Sequence, residues 1–379
     1  MGLRILQLNS ARLFVGEAAH TLNLTVALRQ AGHDVWLGLR KGKFTLEVAQ
    51  RRNLNPIEFN LNKRFWLPDE LPDMRKIAKL VRNEKIQLIH VHRSKEHWQS
   101  VMTAKLFRLG VPIFRTRHVV TPLKKHAANR WLAKRTAKMI AVSKAVEADI
   151  QSTGMYGDDR LVFLPGGVDL DHFLVRGHRD EVRRELGVSL DAPVVIYVAR
   201  FAKVKAHRVL LDAWAALRRR RPDAVLLLVG DGALRPELEA QAKQLGLGTD
   251  ALRFLGLRPY KELPGLLEAA DVGVLASIGS EGFSRAVLEY MSMNRPVVAT
   301  RVGAVPDLIA NGVSGYLVPP ENSAALTDAL DRVLHLSAEE RDKMGRQGRA
   351  KAEAEHSYRH WAESHVRLYE DVLKEGKAN

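Results

Sequence analysis

Apolar residues in this chain come in short blocks separated by longer stretches of mixed character. Blocks at 3–8, 35–39, 56–59, 86–91, 112–116, 139–142 and 161–164 have the length of buried strands. Helical patterns alternate with them, the first over 17–31 and closed by Gly32-His33. After a charged connector at 175–184 the alternation restarts, with strands predicted at 194–199, 225–229, 252–255, 272–276, 296–300 and 316–318. Strands alternating with helices form parallel, doubly wound sheets. Two series in succession therefore predict an α/β protein of two Rossmann-like domains facing each other across a cleft. The expected boundaries are 1–172 and 173–357, with 358–379 as a separate terminal helix carrying Trp361, Val366, Leu368, Tyr369 and Val372.

Composition narrows the chemistry. The chain has 379 residues, 46% of them hydrophobic, enough to fill two cores. It has no cysteine, which excludes disulfides, thiolate zinc sites and cysteine nucleophiles. No uninterrupted apolar run approaches the roughly 18 residues of a spanning helix, and the N-terminus goes directly into a strand pattern without a leader-like segment. The expectation is a cytoplasmic protein whose membrane contact, if any, is peripheral. Lys and Arg total 59 against 43 Asp and Glu, a net +16, which favours polyanionic partners. Nucleic acid, anionic lipid and phosphorylated glycans all qualify. A nucleic-acid-binding α/β protein would use that charge directly, but aromatics are sparse at 6% and no nucleic-acid module is recognisable. The acid-free segment 124–138 places Arg130, Lys134 and Lys138 at i, i+4 and i+8, beside an apolar row of Ala128 and Leu132. That spacing predicts a basic amphipathic helix, which either meets an anionic membrane surface or packs on the core with a solvated basic back.

Candidate chemistry gathers where predicted strands end. Only Gly16 follows the first strand, so the G-x-G-x-x-G of a nicotinamide site is missing. Gly16 either opens a helix or lets a ligand approach the backbone. His92 and Arg93 follow one strand, and Arg117 and His118 end another. Open α/β sheets bind ligands at such carboxyl ends. In the second half, Arg200 and Lys205 flank a loop-to-helix turn, where two cations suit a diphosphate. Further on, 272–276 is a strand, 277–282 a small-residue loop, and a helical pattern follows. Glu281 lies at the start of that helix and Glu289 about two turns along it, where carboxylates can accept hydrogen bonds from sugar and ribose hydroxyls.

The stretch 270–291 resembles the E-x7-E signature of retaining glycosyltransferases with the GT-B fold, specifically family 4. Pro296-Val297-Val298-Ala299-Thr300, Gly303 and the turn Asn311-Gly312-Val313-Ser314-Gly315 resemble the same family. The resemblance implies that Glu281, Phe283 and Ser284 hold the donor sugar and Glu289 the nucleotide ribose. It implies that Arg200 and Lys205 grip the donor diphosphate, although Ala199 and Ala206 stand where the family has glycines. Gly16 becomes a point of approach for that diphosphate, and Leu257, in the loop at 256–259, lies against the base. His118 is implied beside the donor sugar, with His92, Arg93 and Arg117 on the acceptor side. The catalytic set is then His118, Arg200, Lys205 and Glu281. Asp169 and Asp171 form a D-x-D, but their context resembles the P-x-G-V-D-x-x-x-F segment before the second GT-B domain, not a metal site. The family also implies a terminal helix that returns to the first domain. The expected substrates are a nucleotide-diphosphate sugar and an anionic lipid-linked glycan, with no metal or other cofactor and no nucleic acid. A non-catalytic nucleotide-sugar sensor on the same fold has the same sequence features.

Overall fold

Packing divides the chain into two units, Met1–Gly167 with Tyr358–Asn379, and Val168–Ser357. The computed structural model describes all residues except Met1, Val15, 63–66, Pro122, Ser280 and Asn379. Val15, in the loop expected before the first helix, and Ser280, in the loop before Glu281, thus lie outside the described residues.

The first unit holds a seven-stranded parallel sheet in the order β3-β2-β1-β4-β5-β6-β7. Its strands are β1 Arg4–Asn9, β2 Asp34–Arg40, β3 Ile57–Phe59, β4 Leu88–Val91, β5 Ile113–Arg117, β6 Lys138–Ala141 and β7 Leu161–Phe163. Every residue of β4 and β5 is buried, as expected when helices cover both faces of a parallel sheet. Leu6, Leu8, Ile89 and Val91 pack on one side. Ile5, Leu88 and Phe114 pack on the other, against Trp361 and Tyr369 of helix Tyr358–Ala378. Tyr369 Oη also lies 2.7 Å from His90 Nδ1, so the terminal helix is joined to β4 by a buried polar contact as well as by apolar burial.

The second unit holds β8 Val194–Val198, β9 Val225–Val229, β10 Leu252–Gly256, β11 Val272–Leu275, β12 Val297–Thr300 and β13 Gly315–Val318. Their order is β10-β9-β8-β11-β12-β13. Right-handed crossovers build each sheet outward in two directions from its first strand. The order therefore reverses once per sheet, between β1 and β4 and between β8 and β11.

Two sequence expectations change. The first boundary falls at Gly167, not at 172, because Val168 N donates to His356 O over 2.8 Å and Phe173 is buried in the second unit's core. The basic segment 124–138 is not one helix. Only Ala127–Ala133 is helical, Lys134 caps it, and Lys138 already belongs to β6 with its ammonium on Asp159 O. Burial of Leu132 and Ala133 and the need to enter the sheet stop the helix early, so Arg130, Lys134 and Lys138 form no common helical row.

One buried ion network anchors the strand that leads to Glu281. Asp271, just before β11, accepts from Arg183 and Arg179, each over 2.9 Å, and from Val194 N over 2.7 Å. Arg183 is fully buried and also donates to the carbonyls of Ala269, Leu190 and Ala192. Burial alone would raise the Asp271 pKa, but Arg183, the Val194 N–H and Arg179 hold it below the usual carboxylate value. A depressed folded pKa stabilises the protein above the unfolded carboxylate pKa, and that contribution is lost as pH falls through the folded one. Asp271→Asn should leave the Arg183 charge uncompensated and cost about 3–5 kcal/mol. Urea denaturation at neutral pH measures this, and the gap from wild type should narrow in acid; a loss under about 1 kcal/mol would show that the carbonyls alone hold the guanidinium.

Candidate active site

Each sheet presents its reversal as a place where two neighbouring loops diverge, leaving room for a ligand. In the first unit that place is a cavity of about 860 Å³. Ser10, Arg12 and Glu17 reach it from beyond β1, and His92, Arg93 and Lys95 from beyond β4. Arg115, Arg117, His118 and Val119 come from the end of β5, with Trp98 on the following wall.

The imidazoles form a connected group. His92 Nδ1 and His118 Nε2 are 3.2 Å apart, and His92 Nε2 is 3.2 Å from Gln7 Oε1. An amide oxygen can only accept, so His92 carries its proton on Nε2 and presents the Nδ1 lone pair to His118. His20 packs edge-on against His118 with ring centroids 4.5 Å apart. Burial brings the His118 pKa down to about 3 and holds His20 and His92 well below the normal histidine value. At neutral pH these rings are uncharged and able to exchange single hydrogen bonds with a hydroxyl-rich ligand. Among the described residues, His20, His92 and His118 are the group whose donor atoms, all within 4.8 Å of one another, could share a metal ion. Asp169 instead closes a turn by accepting from His172 N over 3.0 Å.

Charges line the same cavity. Arg93 pairs with Glu17 at 3.0 Å, yet burial outweighs that charge and pushes the Glu17 carboxyl up to about 7. Arg117 donates to Thr121 O and approaches Asp149 at 3.4 Å. Gly16 opens helix Gly16–Gln30, and a Cβ there would meet nothing within 4 Å, so internal packing does not require glycine. Sequence reasoning missed Glu17, Lys95, Trp98 and Arg115. Arg115 alone had a visible signal, a charge inside a block of strand length, and the structure buries it with the rest of β5.

In the second unit the loops after β8 and β11 are tied together. Ile278 N donates to Val204 O over 2.9 Å, and the Lys205 ammonium donates to Glu281 Oε1. Ser277 Oγ donates to the same carboxylate oxygen over 2.6 Å. Glu281 is thus buried but satisfied, and its position is fixed from below by a glycine. Ala304 N donates to Glu281 O over 2.7 Å, while a Cβ on Gly303 would sit 2.0 Å from that oxygen. Ser284 begins helix Arg285–Ser292, and its buried Oγ has no hydrogen-bond partner among the described residues. Glu289, one turn into that helix, is buried and accepts from Arg285 Nε over 3.0 Å. Phe283 is half-buried against the unit's core.

The cationic loop is shaped by close backbone approach. Phe201 N donates to Asp231 O over 2.9 Å, and Cβ atoms on Gly230 or Gly232 would strike the carbonyls of Ala199 and Phe201. Ala206 adopts the left-handed conformation with φ of 47°, which costs about 1–2 kcal/mol for a residue with a Cβ. The loop therefore keeps the glycine-type backbone without the glycine, and Arg200 remains exposed at its rim. His207 follows, buried against Tyr197 and Phe201, its pKa brought down to about 3 by burial and by Lys205. Leu257 stands apart in the loop that follows the edge strand β10, 78% exposed, so the structure does not gather it with Glu281 and Lys205.

Comparison with known proteins identifies the family. The sequence pattern of Glycosyltransferase Family 4 matches residues 16–172, and that of Glycosyl transferases group 1 matches 178–351. A D-inositol 3-phosphate glycosyltransferase of Nocardia farcinica is 30% identical over 400 residues, covering 95% of this chain and 85% of that protein. One from Corynebacterium urealyticum is 35% identical over 205 residues, 52% of this chain; the match spans about half of that relative's own length, 48%. Among solved structures, Anabaena Alr3699/HepE in complex with UDP and glucose superposes with a TM-score of 0.81 at 21% identity, covering 97% of this chain and 99% of that one. Both halves of the sequence, and the two Rossmann-like units they fold into, place the chain in glycosyltransferase family 4, the glycosyl transferases group 1, with the GT-B fold.

Proposed function

We propose that the protein is a retaining glycosyltransferase that moves a sugar from a nucleotide-diphosphate sugar, held by the second unit, to an anionic, lipid-linked glycan held by the first. The reaction is assigned to the cytoplasmic face of the membrane. Among the described residues no helix is long and apolar enough to cross a membrane. The observation that carries the reading is the junction of Lys205 with Glu281, which brings a cation and a carboxylate from the two switch-point loops to one point. The buried Ser284 hydroxyl, without a partner among the described residues, supports a ligand there, since such a group is costly unless something bonds to it. The Anabaena structure, which holds UDP and glucose, supports a uridine nucleotide as the first donor to try.

In this reading Arg200 and Lys205 neutralise the charge that grows on the diphosphate as the glycosidic bond breaks. Glu281 offsets the oxocarbenium character of the sugar, and Ser284 with Phe283 orients its ring. Arg285 must share or yield Glu289 when a ribose arrives. The donor phosphate takes the acceptor proton, so no covalent nucleophile is assigned. His118, neutral down to about pH 3, positions hydroxyls without competing for the diphosphate. Gly16 admits the diphosphate, and Leu257 lies beside the base. His92, Arg93 and Arg117 face the acceptor, whose negative charge suits the cations around them.

Screening UDP-, GDP- and ADP-sugars by thermal shift, followed by turnover of radiolabelled donor, tests the proposal directly. No stabilisation by any of them, with no turnover, would end it. Arg200→Ala and Lys205→Ala should each lower turnover by about 10²–10³-fold with the fold intact by circular dichroism. Near-wild-type rates in both would remove the diphosphate assignment. The glutamates should separate by signature. Glu289→Gln is expected to weaken calorimetric UDP binding about tenfold or more, and Glu281→Gln to depress kcat more than UDP affinity. The reverse pattern would exchange their roles. Because two arginine and lysine charges serve the leaving group, EDTA should leave activity unchanged; loss restored by manganese or magnesium would contradict that.

A further inference from the structure

We propose that the cavity of the first unit binds a phosphate group on Arg115, which makes the acceptor a phosphorylated compound and Arg115 its anchoring residue. The proposal deepens, and rests on, the glycosyltransferase reading of that cavity.

The described structure contains three buried arginines, Arg115, Arg117 and Arg183. Arg183 is paired with Asp271 and Arg117 approaches Asp149. Arg115, only 6% exposed, has no carboxylate in ion-pair range among the described residues. Its partners are His97 Nδ1 and Ser94 Oγ, each at 3.0 Å. Neither can supply negative charge, and the hydrogen bonds settle why. Thr136 Oγ1 donates to Leu132 O over 2.9 Å, so it accepts from His97 Nε2, 2.8 Å away. His97 therefore has its proton on Nε2 and accepts from Arg115 at Nδ1 as a neutral ring.

A guanidinium has five N–H donors. Two go to His97 and Ser94, and the buried Nε has no partner among the described residues. Of the nearby carboxylates, Glu17 pairs with Arg93 and Glu70 with Lys95 and Gln99. Glu96 accepts from the Arg93 N–H at Oε1, and its other oxygen, although without a partner among the described residues, is not in ion-pair range of Arg115. Around the cavity, Arg12, Arg40, Arg93, Lys95, Arg115 and Arg117 face a single carboxylate, Glu17. A buried, unpaired cation is strongly unfavourable. One that lines a cavity with donors to spare is completed by an oxyanion, and phosphate matches the planar donor fork of arginine. The remaining wall includes Trp98 and Met102, an apolar surface for the ring or hydrocarbon that carries the phosphate. A soluble sugar phosphate and a lipid phosphate headgroup both present this chemistry.

The test uses the full-length chain with saturating UDP, so that Arg200 and Lys205 are occupied. Glucose 6-phosphate is compared with glucose, and phosphatidylcholine vesicles containing phosphatidic acid with plain ones, by calorimetry and flotation. One phosphorylated probe should bind, its unphosphorylated counterpart should not, and Arg115→Gln should weaken binding about tenfold or more while UDP affinity is unchanged. Binding only of the sugar phosphate assigns a soluble acceptor; binding only of the vesicles assigns a lipid one. Equal binding with and without phosphate, or undiminished binding by Arg115→Gln, overturns the proposal while UDP binding leaves the glycosyltransferase reading standing. Absence of UDP binding with phosphate still held through Arg115 does the opposite. If Arg115→Gln does not fold, tungstate soaked into wild-type crystals should appear against the Arg115 guanidinium, and tungstate sites elsewhere only would overturn the assignment.

Discussion

The constraint on which both sites depend is the handedness of the parallel crossover. Right-handed crossovers that all run one way place every helix on the same face, so an open sheet covered on both faces needs the chain to return to the first strand and build the other way. In each unit that return separates two adjacent loops, after β1 and β4 and after β8 and β11. The first pair brings Glu17, His92 and Arg93 to one cavity, and the second brings Lys205 against Glu281. Neither grouping requires neighbouring positions in the chain.

Charge is then managed differently in the scaffold and in the sites. Arg183 and Asp271 satisfy each other and the surrounding carbonyls, leaving nothing over for a ligand. Arg115 and Ser284 are also buried but incompletely satisfied among the described residues. Buried polar groups without partners are rare because each carries a desolvation penalty. Other described residues, Thr45 and Asn294 among them, also have a buried polar atom without a partner, but Arg115 and Ser284 have theirs beside the reversal points of the two sheets.

Backbone proximity sets the rest. Gly230, Gly232 and Gly303 leave no room for a Cβ beside the carbonyls of Ala199, Phe201 and Glu281. These contacts hold the cationic loop and the Glu281 loop at fixed heights above their strands. Ala206 reaches a left-handed conformation despite its side chain, which means that packing around the loop, and not intrinsic preference, dictates its path.

Much of this was legible in the chain itself. Apolar blocks of strand length, each followed by a helical pattern, determined two parallel sheets, because a strand buried on both faces must be apolar at nearly every position. Local geometry alone put Glu281 at a helix entrance with Glu289 further along the same helix, and Arg200 and Lys205 in a loop leading into a helix; the helix begins only at Arg285, so Glu289 is one turn along it. Longer-range questions were not decided there. Periodicity gave 124–138 one helix, but Leu132 and Ala133 had to be buried and Lys138 had to enter β6, so tertiary packing ended the helix early. The Val168 contact with His356 moved the unit boundary to Gly167. Most of all, the difference between Arg115 and Arg117, two residues apart on one strand, lies in which distant side chains fold against them. Asp149 reaches one and neutral His97 the other, and only the tertiary structure decides which buried charge is left without a counter-charge.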